Sequence, residues 1–115
     1  GGHRLVVLRH LHAASAEPPG ILTAVAEAGW QVSGRVQGVG FRWWARSLAT
    51  RLGVSGTVRN LDDGSVAVHA RGTDDQLRDL QAHLRRGPPG ALVSSVDPLP
   101  FSSAGVSDGE FVILR

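Results

Sequence analysis

The sequence contains no cysteine among its 115 residues, so it offers no disulfide framework, thiol nucleophile or thiolate metal site. It has no apolar run approaching the roughly 20 residues that a membrane-spanning helix needs. Twelve basic residues oppose ten acidic ones without long blocks of either sign, so the charge does not require a nucleic-acid partner. We therefore expect a cytoplasmic protein without a metal, a cofactor, or a membrane or nucleic-acid partner.

The length fits one domain, preceded by an extension of different character. Residues 1–29 are rich in alanine and are assigned to this extension, and residues 30–115 are assigned to the domain. Within the extension, Leu5 to Leu8 could form a short strand. Helical spacing up to a stop at Gly29 is shown by Ile21, Leu22, Val25 and Ala28. Methionine is absent, which is consistent with a chain that is trimmed or fragmentary at its start.

The first half of the domain has the periodicities of a strand, a helix and a hairpin. Alternation of apolar and polar residues over 30–36 predicts a first strand. Helical spacing from Phe41 to Leu52 predicts a helix that ends at Gly53. Strands over 54–61 and 65–71 flank the turn Asp62-Asp63-Gly64, so they should pair as an antiparallel hairpin.

The second half supplies another helix and the remaining strands. Thr73 and Gln76 have the form of a capping box, which predicts a helix that ends before Gly87-Pro88-Pro89. Residues 91–97 are predicted to form a fourth strand, and Phe111 to Leu114 are predicted to form a short edge strand. The order predicts an α+β, ferredoxin-like βαββαβ sandwich: a four-stranded antiparallel sheet with two helices on one face, plus the terminal edge strand.

A glycine-spaced loop joins the first strand to the first helix in the run Gly34-Arg35-Val36-Gln37-Gly38-Val39-Gly40-Phe41-Arg42. Gly38 and Gly40 permit backbone conformations in which successive N–H groups converge on one point. The helix start adds unpaired N–H groups and the positive end of its dipole. Arg42 adds a planar fork that fits two phosphate oxygens. The segment therefore predicts a phosphate-like anion site.

Together with Gly56-Thr57-Val58-Arg59-Asn60-Leu61-Asp62-Asp63-Gly64-Ser65-Val66, this loop resembles the acylphosphatase family over roughly residues 30 to 115. The resemblance implies metal-independent hydrolysis of a small acyl phosphate to a carboxylate and inorganic phosphate, by a protein that we expect to be a monomer. It implies that Arg42 and Asn60 are catalytic, with Asn60 orienting the attacking water. It also implies a set of phosphate-binding residues: Gln37, Gly38, Val39, Gly40, Phe41 and Arg42.

Several residues have a second interpretation. Asp62 or Asp63 could act as a general base, although aspartate before glycine is ordinary turn chemistry, which we favour. Trp43 and Trp44 could stack nucleic-acid bases, but we favour packing of one against the sheet and partial exposure of the other.

Two other functions fit the same pattern. One is the acylphosphatase-like domain of a hydrogenase-maturation carbamoyltransferase, which acts on carbamoyl phosphate. The other is a non-catalytic binding module of ferredoxin-like topology, although the third strand lacks the aromatic rings that an RNA-recognition domain uses.

Overall fold

The computed structural model describes residues 24–115, so the predicted strand at Leu5–Leu8 and the first part of the predicted N-terminal helix lie outside the described residues. Seven elements follow in the predicted order. They are β1 (Ala26–Arg35), α1 (Phe41–Leu52), β2 (Ser55–Asn60), β3 (Val66–Gly72), α2 (Asp74–Arg86), β4 (Leu92–Leu99) and β5 (Phe111–Leu114).

The first strand begins at Ala26, ahead of the predicted start at Trp30. The helical interpretation of the residues just before Gly29 was wrong for Ala26 onward. These residues are extended because Ala26, Glu27 and Ala28 pair with Gly72, Arg71 and Ala70 of β3, and the pairing with β4 begins at Gly29. Continuing the ladder with β3 satisfies more backbone groups than a short, weakly patterned helical turn could.

The strands form one sheet in the order β4-β1-β3-β2-β5. The four strands predicted for the sheet pair antiparallel, as expected. The edge strand at Phe111–Leu114 is confirmed and extends the sheet to five strands. Its pairing with β2 is parallel, from Gly56 opposite Phe111 to Arg59 opposite Leu114. The residues that follow β2 and β5 therefore emerge at the same end of the sheet.

Both helices cover the same face of the sheet. Helix α1 contacts β2 and β5, α2 contacts β1, β3 and β4, and the helices contact each other. Gly53 ends α1 in a left-handed conformation, and the predicted capping box between Thr73 and Gln76 is present at the start of α2. The side chains completely buried between sheet and helices include Val32, Val58, Val66, Val68, Leu80 and Leu84. None of the helices formed by residues 24–115 is long and apolar enough to cross a membrane.

The connection from β4 to β5, residues 100–110, passes over the opposite face of the sheet. Side chains alternate along a strand, so His69 lies on the face away from its core neighbours Val68 and Ala70. Its Nδ1 accepts a hydrogen bond of 3.1 Å from the Ser102 backbone N–H. We call residues 100–110 the back-face connection.

Candidate active site

The loop between β1 and α1 has the backbone conformation that its glycines predicted. Gly38 and Gly40 have φ angles of 77° and 79°, in the left-handed region that other residues rarely adopt. A Cβ at either position would meet nothing within 4 Å. The backbone conformation, rather than crowding, therefore requires glycine here, and the space in front of both residues is open.

Helix α1 begins from this loop with an uncapped N-terminus. Gly40 is the N-cap residue and supplies no side-chain hydrogen bond, and the first turn contains no acidic residue. The first turn closes where the Trp44 N–H donates to the Gly40 carbonyl at 3.0 Å. The N–H groups of Phe41 and Arg42 precede that bond, so they have no acceptor within the helix. This end of α1 is suited to an anion.

The Gln37 side chain fastens the loop to the hairpin between β2 and β3. Its Nε2 donates to the Leu61 carbonyl at 2.8 Å and to the Ser65 carbonyl at 2.9 Å. Leu61 directly follows Asn60, so these bonds hold the loop beside the strand end that bears the predicted catalytic asparagine. Sequence reasoning assigned Gln37 only through its backbone and missed this role of the side chain. The available signal for this role was a polar side chain in a loop that was expected to lie beside a hairpin.

Asn60 is the last residue of β2 and is partly buried. It lies on the same face of the strand as the completely buried Val58, two residues earlier, and that face is covered by the helices. Within residues 24–115 its carboxamide forms no hydrogen bond. The amide oxygen and NH2 group are therefore available to a water or a ligand.

Arg42 lies in the first turn of α1 and is also partly buried. Its guanidinium forms no ion pair or hydrogen bond with any other residue of 24–115. It lines a cleft of about 720 Å³ between α1 and β5. The cleft, which we call the α1–β5 cleft, is lined by Arg42, Trp43, Arg46 and Thr50 from the helix and by residues 109–113 and Arg115 from the other side. Asn60 is not among its lining residues.

The Asp63 carboxylate accepts hydrogen bonds in and beside the turn between β2 and β3. Its Oδ1 accepts hydrogen bonds from the Ser65 hydroxyl and, at 2.9 Å, from the Ser65 backbone N–H. Its Oδ2 accepts one from Gln31 Nε2 at 3.0 Å. These bonds, the one from the Ser65 side chain foremost, lower the pKa of the Asp63 carboxyl below its ordinary value. A carboxylate in this state is a weak proton acceptor, which favours the turn interpretation over the general-base one.

One tryptophan of α1 packs against the core and the other is exposed, as predicted. Trp44 packs beside Phe41, with 5.2 Å between ring centroids, and contacts the core. Trp43 is 64% exposed, and the Arg46 guanidinium lies 5.3 Å from the centroid of its ring. No group of three or more histidine, aspartate or glutamate side chains in residues 24–115 has an arrangement that could hold a metal ion.

Comparison with protein families matches the model described as Acylphosphatase to residues 29–111. The acylphosphatase of Rhizobium etli is 55% identical over 67 residues, which cover 58% of this chain and 71% of that protein. The acylphosphatase of Thermotoga maritima is 45% identical over 78 residues, which cover 68% of this chain and 87% of that protein.

Solved structures match the fold as well. The crystal structure of acylphosphatase from Bacillus subtilis superimposes with a TM-score of 0.70 at 30% identity, over 80% of this chain and 100% of that one. An acylphosphatase from Coxiella burnetii gives a TM-score of 0.68 at 34% identity, over 78% of this chain and 93% of that one.

Proposed function

Because the chain belongs to the acylphosphatase family, it is a hydrolase of acyl phosphates, and we propose which residues carry the reaction. The backbone of residues 37–42 and the Arg42 side chain bind the phosphate group, and Asn60 orients the attacking water. The observation that carries this assignment is the pair of hydrogen bonds from Gln37 Nε2 to the Leu61 and Ser65 carbonyls, because they hold the loop beside Asn60.

The phosphate is held by groups that have no protein partner in residues 24–115. The left-handed Gly38 and Gly40 and the uncapped start of α1 present N–H groups to an open space. Arg42 can add two parallel charge-assisted hydrogen bonds to phosphate oxygens. These donors bind the anion in the ground state and stabilise the charge that spreads over its equatorial oxygens during transfer.

For this hydrolysis the protein mainly has to position the substrate and the attacking water. A carboxylate is a good leaving group, so an acyl phosphate is already activated and needs no general acid. The water attacks phosphorus in line with the departing carboxylate, its new bond to phosphorus forms, and the phosphorus–oxygen bond of the anhydride breaks. Asn60 aligns the water through its amide, while a phosphate oxygen of the substrate accepts the proton because an amide is a poor base.

The proposal is tested by following hydrolysis of benzoyl phosphate in water enriched with a heavy oxygen isotope. Attack at phosphorus places the heavy oxygen in inorganic phosphate and leaves benzoate unlabelled, which mass spectrometry distinguishes. The rate should be the same after treatment with a chelator, since we propose no metal. Label in benzoate would show attack at the carbonyl carbon and contradict the proposed geometry. Absence of hydrolysis would favour a non-catalytic module.

The role of Asn60 is tested by Asn60→Ala. Loss of the group that orients the water should lower kcat by about a hundredfold, whereas the inhibition constant of inorganic phosphate should change by less than about threefold. An Asn60→Ala variant that loses phosphate affinity and retains kcat would place Asn60 in binding instead of water alignment.

The finer statement on partners is also a proposal: a monomer that acts on a small acyl phosphate without nucleic acid or membrane. In residues 24–115, the exposed large hydrophobic side chains are Val25, Trp43 and Leu92, which stand on three different segments and form no continuous stretch of the sequence. Light scattering coupled to size-exclusion chromatography should give the mass of a single chain.

A further inference from the structure

The carbonyl oxygen of Ser65 joins the two parts of the proposed active site. It accepts a hydrogen bond of 2.9 Å from Gln37 Nε2, in the phosphate loop of residues 37–42, and one of 2.8 Å from the Leu61 backbone N–H. That N–H belongs to the peptide group that directly follows Asn60. The position of this oxygen therefore helps to fix the distance between the phosphate loop and the residue that orients the water.

The remaining polar groups of Ser65 are also bonded. Its N–H and its hydroxyl both donate to Asp63 Oδ1, and the hydroxyl accepts a hydrogen bond of 2.9 Å from Gln31 Nε2. The same amide nitrogen, which has two hydrogens, also donates to Asp63 Oδ2 at 3.0 Å. Ser65 is only 4% exposed, so water competes little for its polar groups. Gln31, Asp63 and Ser65 thus form a closed ring of hydrogen bonds, which we call the turn clamp.

Gln31 enters the turn clamp from the back face of the sheet. Its neighbours in β1, Trp30 and Val32, are buried in the core, so alternation places the Gln31 side chain on the face away from the helices. Asn60 lies on the helix-covered face, so an effect of Gln31 on the reaction has to act through other residues. Further along the chain, Gln37 donates to the same turn. The segment that carries the phosphate loop is therefore attached to the turn twice.

We propose that Gln31 is a positioning residue for acyl phosphate hydrolysis and acts through the turn clamp. The clamp keeps the Ser65 carbonyl where it can hold both Gln37 and the peptide group after Asn60. The inference rests on the proposed function, because it takes Asn60 as the residue that orients the water. It adds a residue that lies outside both the phosphate loop and the asparagine hairpin.

The first test is Gln31→Glu, which exchanges the NH2 donor of the clamp for a carboxylate. Near neutral pH the introduced carboxylate faces Asp63 without a hydrogen to donate, so the clamp opens. We expect kcat for benzoyl phosphate to be about tenfold below that of the wild-type protein. The phosphate loop and Arg42 keep all their groups, so the inhibition constant of inorganic phosphate should change by less than about threefold.

Acid should restore the Gln31→Glu variant. The acidic groups around this position are Asp63 in the turn and Asp97, which lies opposite on β4. On β3 and β2 the nearest titratable groups of this face are His69 and Arg59. The two carboxylates raise the pKa of the introduced carboxyl, so it gains a proton between about pH 7 and about pH 5 and can then donate to Asp63. The ratio of variant kcat to wild-type kcat should rise over this range from about 0.1 to at least about 0.3.

Two further variants separate the loss of the donor from the added charge. Gln31→Met cannot donate at any pH, so its kcat should stay about fivefold below wild type from about pH 7 to about pH 5. The double variant Gln31→Met/Gln37→Met should have a kcat within about twofold of Gln37→Met alone, because both glutamines act on the same carbonyl. The matched control is Gln81→Glu, which adds the same charge at a partly buried position of α2 and should keep the wild-type kcat. Urea denaturation at each pH establishes that every variant compared is folded.

The outcomes separate the inference from the proposed function. Wild-type kcat in both Gln31→Glu and Gln31→Met overturns the inference even if the variants are less stable, because the clamp would then contribute to folding alone. A loss in Gln31→Glu that acid does not relieve also overturns it, as does a double variant far slower than Gln37→Met. If Gln31→Glu does not fold, Gln31→Met and the double variant decide. The proposed function itself fails only if the wild-type protein does not hydrolyse benzoyl phosphate.

Discussion

One loop of this protein lies at the ends of the strands and another lies on the back face of the sheet, and they differ in what their polar groups contact. The loop from β1 to α1 is open: Gly38 and Gly40 face empty space, and Arg42 has no ion-pair partner in residues 24–115. The back-face connection is closed by protein contacts, including an ion pair between Arg71 and Asp108 at 3.1 Å. Polar groups without protein partners indicate a ligand site, whereas groups already paired indicate a structural role.

Substitution of Arg42 is the most direct test of this difference between the two loops. We expect Arg42→Ala to lower kcat/KM for benzoyl phosphate by about three orders of magnitude, because two charge-assisted hydrogen bonds to the transition state are lost. The unfolding midpoint should hardly change, since no ion pair or hydrogen bond within residues 24–115 is removed. Phosphate-release kinetics and thermal denaturation measure the two effects. Arg85→Ala on α2 is the control, and activity of Arg42→Ala equal to this control would reject the assignment.

Gln37 connects the open loop to the rest of the protein, and Gln37→Met keeps the length of its side chain while removing both hydrogen bonds. We expect kcat to fall by about tenfold, because the loop and Asn60 are no longer held in register. The free energy of unfolding should fall by about 1–2 kcal/mol, since two hydrogen bonds are lost, although each carbonyl keeps a backbone N–H donor.

Steady-state kinetics and urea denaturation measure both quantities for Gln37→Met. Gln81→Met, at a partly buried position of α2, is the matched control and should keep kcat. If Gln37→Met loses stability but retains full kcat, the hydrogen bonds contribute to folding alone.

Arg71 is the corresponding test on the back face. Its guanidinium pairs with Glu27 at 3.0 Å and with Asp108, and these partners are 47% and 89% exposed. Arg71→Ala should therefore lower the free energy of unfolding by only about 0.5–1 kcal/mol, and less at high salt. The kcat should remain within about twofold of wild type. A large loss of kcat would show that the back-face connection contributes to catalysis after all.

His69 should produce the smallest effect, visible only as a function of pH. Burial, and then the positive charge of Arg59, lower the pKa of His69 below its ordinary value of 6.5. As pH falls below about 6.5, the unfolded chain binds a proton before the folded one does, so the free energy of unfolding decreases.

The His69→Asn variant removes this titration while retaining an acceptor for the Ser102 N–H. Urea denaturation at a series of pH values should show a shallower decrease than in the wild-type protein. A His83→Asn variant retains His69, so it should show the same decrease as wild type. Identical curves for His69→Asn and wild type would contradict the assignment.

Elements whose signals are local could be predicted from the sequence. The helical spacing after Phe41, the stop at Gly53 and the capping box of Thr73 each involve neighbouring residues, and all are present as expected. The glycine conformations of the loop could be predicted for the same reason. The beginning of β1 at Ala26 could not, because β3, which is distant in the sequence, supplies the pairing that makes these residues extended.

Features that join distant segments could not be predicted from the sequence pattern. The parallel pairing of β5 with β2 follows from the path of the back-face connection across the sheet, which no periodicity records. The α1–β5 cleft exists only because that path brings β5 alongside α1. The residues of the phosphate loop were thus recognisable, whereas the cavity next to it had to be seen in three dimensions.

The two acceptors of Gln37 are main-chain oxygens, and every amino acid supplies one. Substitutions at Leu61 would leave that attachment intact as long as the strand ends keep their path. A variant library should accordingly tolerate many residues at Leu61 and few at Gln37.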